Sequence, residues 1–399
     1  MVLSLLLVAV EFDSIHSNAN IAACVKNLVG SSVEYFDVVV SNSSIVGYVI
    51  LENASRVRIE QCGFYGSVLV VLKDSTYLEV TNSRIESMTI ILVGHSGILM
   101  RNISIASGIT IMGFEMSFIR LQNIINGSLQ IILYNHSETY LEGLVPTNTF
   151  VSAYDYSTIY IRNLSTPSPL PSIKLEAFNS SRLHIDSTSS RCLEELSLHG
   201  SSFSDIENSS VDVIFTYDES SLVMTNTSVY NLTAYGGNVN VNSARLVYLR
   251  NMYPGASGEI RDSIISDVGL LSREIIVFEN TDIGFIRYVR VFNSSLVINS
   301  TGWYSDSYYA NFRCVGCTIN SSVDITDRNI IVVDSSYLLI QTIISVDLII
   351  VENVPDFSIG GTNVSIRDYI YARNSLFAVE ESYVNASGIG ETYSIVLYD

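Results

Sequence analysis

The chain has 399 residues and a formal net charge of −19, with 21 Lys plus Arg set against 40 Asp plus Glu. That balance argues against nucleic acid and against anionic membrane surfaces as partners, because both need a positive face. Hydrophobic residues make up 48% of the chain and charged residues only 15%, so there is ample material for an apolar interior.

In chain order, residues 1–32 come first. Met1 to Val10 is a short apolar run. It reads either as the hydrophobic part of a signal peptide, without a basic leader or a small-residue cleavage site, or as a first buried strand. Ser17 to Leu28 is the one stretch with helical character, a candidate N-terminal cap. No later run reaches the roughly 18–20 apolar residues that span a bilayer, so no membrane span is expected.

From residue 33 to residue 399 one phrase recurs. Ser55-Arg-Val-Arg-Ile-Glu-Gln61 is followed by Thr76-Tyr-Leu-Glu-Val-Thr-Asn82, Ser96-Gly-Ile-Leu-Met-Arg-Asn102, Ser117-Phe-Ile-Arg-Leu-Gln-Asn123 and Ser157-Thr-Ile-Tyr-Ile-Arg-Asn163. Each phrase alternates apolar with polar residues, the mark of a strand with one buried face. Behind it runs a second strand, as in Val68–Leu72, Met88–Leu92, Ile109–Met112 and Leu129–Leu133, with a short apolar step at Phe64, Ile85 and Ile105 between the two. A unit of about 20 residues with two such strands buries its apolar face only by stacking on its neighbours. The expectation is an all-β fold, a single-stranded parallel β-helix of about 17 coils.

Asn recurs where the phrase ends: Asn42, Asn82, Asn102, Asn123, Asn163, Asn208, Asn226, Asn251 and Asn280. Asn tolerates the left-handed backbone of a tight corner, and its amide both donates and accepts. Stacked copies are therefore read as a ladder. With this corner, the repeat resembles the right-handed parallel β-helices of the pectin-lyase-like superfamily, in pattern over residues 33–399 rather than in any signature motif. The resemblance implies a right-handed coil and, for an enzyme on this fold, a polysaccharide substrate.

Fifteen Asn-X-Ser/Thr sequons occur, against about six by chance, which favours a secreted or cell-surface protein. If ladder side chains point inward, those at corners cannot carry sugar. Asn53, Asn126, Asn135, Asn179, Asn231, Asn293, Asn320, Asn363 and Asn385 then remain as glycosylation candidates.

The repeat is interrupted near residues 165–172, 231–273 and 301–318, by prolines, by glycines and by an aromatic cluster respectively. Long coils extrude loops, and loops carry function. In the third excursion Trp303, Tyr304, Tyr308 and Tyr309 beside Asp306 form a candidate carbohydrate platform, rings for stacking and a carboxylate for hydroxyls. The same rings would serve equally to pack the loop.

Catalytic signatures are sparse. Asn280-Thr281-Asp282 matches the start of a polygalacturonase-like set, but no Asp-Asp pair, Gly-His-Gly or Arg-Ile-Lys follows. Two acidic groups, Asp324, Asp327 and Asp334 with Arg328, and Asp262 and Asp267 with Arg261, are the only candidates for Ca²⁺; otherwise no metal or cofactor is expected. The five cysteines are too scattered for a disulfide framework, although Cys314 and Cys317 stand close enough for one local bridge. His16, His95, His136, His184 and His199 occur singly, and His95 and His136 precede phrase-opening serines, a turn position. The reading is a secreted or cell-surface structural or adhesive protein without catalysis, its partners carbohydrate or other surface proteins, with end-to-end self-assembly open to it. A polysaccharide lyase or hydrolase, or a carbohydrate-binding protein, is the alternative.

Overall fold

The computed structural model describes residues 38–283 apart from short breaks, the pair Ile21–Ala22, and backbone strands between Ile286 and Tyr398. Among the described residues every regular element is a strand. They form a parallel β-solenoid, with about 11 turns of about 20 residues over residues 38–283. None of its elements is a helix long and apolar enough to cross a membrane. The chain divides into two compact units, residues 1–205 and 206–399.

In the first unit the phrase strands stack in register. Arg56–Glu60 pairs with Tyr77–Thr81, that strand with the first half of Gly97–Gly113, and this in turn with Phe118–Ile125, all parallel. The rear strands Gly63–Leu72, Arg84–Leu92 and Ser128–Leu133 stack in the same way through the second half of Gly97–Gly113. Register holds because a slip of one residue would send every apolar side chain to solvent. Leu78, Val80, Ile98, Met100 and Ile119 are 0% exposed on the phrase side, and Val70, Ile90, Ile111 and Ile131 are equally buried from the rear. Each such side chain contributes about 1.5–3 kcal/mol on burial.

The first unit corrects one expectation. Ile21–Ala22 forms a short strand antiparallel to Val38–Ser41, where part of a helical cap had been expected. A free strand edge offers backbone groups that a partner strand satisfies and a helix does not. The rest of residues 17–28 and the apolar run Met1–Val10 lie outside the described residues, as do residues 166–172. The length of that proline-bearing coil still shows in the register, since Thr158 pairs with Arg182.

In the second unit the excursion expected over 231–273 is instead regular structure. Ser228–Ala234, Arg245–Met252 and Ile264–Ser272 stack in one column of parallel strands, and Gly237–Asn242, Ala256–Arg261 and Ile276–Glu279 in another. Its glycines let neighbouring coils approach: a Cβ on Gly237 would lie 2.1 Å from the Ser220 carbonyl oxygen. Asn311–Val315, within the third expected excursion, is also a strand, and Thr318–Ser321 begins at its end.

Candidate functional site: stacked side-chain ladders and a groove

Two left-handed corners recur from coil to coil, and both organise the outer surface. At the first, Asn42, Asn82, Asn102, Asn123, Asn163, Asn208 and Asn226 hold left-handed backbone, with φ between 47° and 55°. Gln61, Ser187, Ser243 and Asp262 take the same conformation in other coils. The Asn102 amide donates to Asn82 Oδ1 at 3.1 Å and the Asn123 amide to Asn102 Oδ1 at 3.3 Å; in the second unit Asn226 donates to Asn208 Oδ1 at 2.8 Å. These amides lie on the outside, so the ladder does not point inward, and the condition that would bar its sequons from sugar does not hold.

The inward place belongs to the following residue. Cys62, Ser83, Ile103 and Ile124 are buried there, and Ser83 Oγ accepts from the Cys62 amide at 3.1 Å while donating to the Thr81 carbonyl. Asn251 is not a corner residue, because it lies within Arg245–Met252 in register with Thr233. The left-handed turns on either side are supplied by Ser243 and Asp262. Asn280 lies outside the described residues.

The second corner precedes each phrase. Asp74, Gly94, Glu115, Asn135, Asp155, Asn179 and Gly200 have positive φ there. Two residues later comes the phrase-opening hydroxyl, buried at Thr76, Ser96, Ser117, Ser137, Ser157, Ser181 and Ser202. Ser137, Ser157 and Ser181 donate to the carbonyls of Tyr134, Tyr154 and Phe178 at 2.6–2.7 Å, which closes the turn.

Around this corner, rings stack from coil to coil. Phe114, Tyr134, Tyr154, Phe178 and His199 form one column, with centroids 4.7–5.2 Å apart and planes within 14°. Tyr140, Tyr160 and His184 form a second at 4.4 and 5.1 Å. His136 and Tyr156 form a third, shorter one at 5.2 Å. Burial of its ring, then the charge of Glu138, pushes the Tyr140 hydroxyl up to about 12. In the second unit Tyr217, Tyr235 and Tyr253 repeat the motif. A ring inside a column shows only its edge to solvent; a free face occurs where a column stops.

One column stops in a groove of about 650 Å³ in the first unit. Tyr156 is 61% exposed, and the residues that follow it in register at the corner are Ser180 and then Ser201, too small to continue the stack. Beside them, Thr158, Arg182 and Phe203 line the groove from the phrase strands, and His184 closes the second column there. Arg58, Arg120 and Arg162 pair with Glu79, Glu142 and Asp186. No ion pair among the described residues involves Arg182. This groove was missed in the sequence, where its signal is the change from His136 and Tyr156 to Ser180 and Ser201 at one corner position.

Trp303, Tyr304, Asp306, Tyr308 and Tyr309 lie outside the described residues, and so do Asp324, Asp327, Arg328 and Asp334. Asp262 is a corner residue and Arg261 pairs with Glu259; Asp267 lies in the strand Ile264–Ser272. No group of three or more His, Cys, Asp or Glu side chains suited to a metal occurs among the described residues. Of the glycosylation candidates, Asn126 donates to Ser104 Oγ at 3.4 Å and Asn179 to Asp155 Oδ1 at 2.7 Å, whereas Asn135 is exposed at its turn. Asn231 Oδ1 is buried without a hydrogen-bond partner among the described residues. Asn320, Asn363 and Asn385 lie in strands whose side chains are outside the described set, and Asn53 and Asn293 lie outside the described residues. Cys62 is a free, buried thiol, and burial pushes its pKa up.

No protein-family model, curated protein or solved structure matches the chain.

Proposed function

We propose that this is a secreted or cell-surface structural and adhesive protein without catalytic activity, a coil of the pectin-lyase-like kind that serves as a rigid display surface. The observation that carries this reading is the pairing of side chains on the outer face from one coil to the next: Asn on Asn, ring on ring, and Arg58 on Glu79. Groups paired with their own repeats are held for stiffness, and such a surface suits presentation better than turnover. The excess of sequons and the net charge of −19 agree with an extracellular setting in which like surfaces repel. Carbohydrate or another surface protein is the partner such a face would meet.

The test is retention on a panel of immobilised neutral and acidic polysaccharides, with reducing ends and unsaturated products measured in the same samples. Retention on at least one polymer without new chain ends is the expected result. Release of either product would replace this reading with that of a hydrolase or lyase.

A further inference from the structure

We propose that the groove beside Tyr156 binds a planar aromatic ring bearing a carboxylate, inserted as the rung that Ser180 leaves vacant above the His136–Tyr156 pair. The proposal rests on the groove and not on the adhesive reading, which stands or falls separately.

Three observations carry it. First, this surface stacks flat rings at the coil step, with centroids 4.4–5.2 Å apart in all three columns of the first unit. A further flat ring seated on Tyr156 would continue a packing mode that the molecule uses repeatedly; contact at about 3.5–4.0 Å fits within one coil step of about 4.8 Å. Second, Tyr156 is open where the register places Ser180 and Ser201, so no side chain of ring size fills the next positions. Third, the groove holds Arg182, which no ion pair among the described residues involves, in a chain with net charge −19. A planar guanidinium receives a carboxylate through two parallel N–H donations. The hydroxyls of Thr158, Ser180 and Ser201 lie in the same lining for any further polar group on the ring. A pyranose chair is thicker than a flat ring and matches this spacing less well, which favours an aromatic acid over a sugar acid.

The experiment titrates the full chain with 1-naphthoate, followed by fluorescence anisotropy and calorimetry. Cyclohexanecarboxylate, 1-naphthylmethylamine and glucuronate are the comparison ligands. Saturable binding of 1-naphthoate is expected, with each comparison ligand weaker by at least about tenfold, the scale of one charge-assisted hydrogen bond or one lost ring stack. Ser180→Tyr supplies the missing rung from the protein itself and should abolish binding while leaving thermal unfolding unchanged or shifted upward. Arg182→Gln, at an exposed position, should weaken 1-naphthoate by at least about tenfold and provides the same test should the Tyr variant fold poorly. Absence of saturable binding up to about 10 mM overturns the proposal. So does undiminished binding by a folded Ser180→Tyr or by Arg182→Gln, or glucuronate binding as tightly as 1-naphthoate.

Discussion

Asparagine at the first corner combines two properties that no other residue supplies together. It accepts left-handed backbone, which costs most residues about 1–2 kcal/mol, and its amide reaches the copies above and below. Asn102 accepts from Asn123 and donates to Asn82. Replacing Asn102 with Ala should therefore cost about 2–3 kcal/mol, strain plus lost bonds. Asn102→Gly should recover the backbone share, as read by urea unfolding of both variants. Tyr140 offers a pH signature. The folded state holds its proton to about 12, whereas an unfolded Tyr releases it near pH 10. Stability should thus fall as pH rises between those values, since the unfolded chain then binds fewer protons; Tyr140→Phe should flatten that part of the alkaline unfolding curve. The corner was legible in sequence because Asn recurs at one phrase position. Its outward direction was not, because alternation does not say how a left-handed residue shifts the count and so moves Cys62 and Ser83, which follow the corner, to the inside.

At the scale of strands, stability resides in inward columns. Ile111 lies in register between Ile90 and Ile131, all 0% exposed. Ile111→Ala should cost about 2–5 kcal/mol through lost burial and the cavity left behind. Its neighbour Thr110, on the outer face, should tolerate Ala within about 0.5 kcal/mol; paired thermal melts compare the two directly. Strand positions were legible wherever Ile, Val and Leu alternate, as in Ser117 to Asn123. Over 231–273 the sequence reads as a loop because of Gly236, Gly237 and Gly258, whereas the structure has strands there. In a stacked coil a glycine also permits close approach, as Gly237 does over the Ser220 carbonyl, and composition alone does not separate these uses. The groove was illegible for a related reason: the long coil carrying Pro167, Pro169 and Pro171 hides the register that brings Ser180 beside Tyr156.

For the molecule as a whole, a coil contacts only its neighbours, so stability within a unit is close to a sum of coil terms and nearest-neighbour terms. The same geometry explains why outward side chains pair with copies of themselves, and it is the basis for reading the surface as a display face. Within the first unit consecutive coils lie side by side, parallel and in register. Thr89 and Thr110 are outer-face register partners in the first unit, and Gln130 is the next along the same column. Nitroxide labels at Thr89→Cys and Thr110→Cys, with the native cysteines replaced by Ser, test the claim by electron paramagnetic resonance. Backbones about 4.8 Å apart should give a strongly broadened spectrum, and Thr89→Cys with Gln130→Cys a weaker interaction. A sharp spectrum from the first pair, equal to the sum of the single labels, would contradict the stacked solenoid.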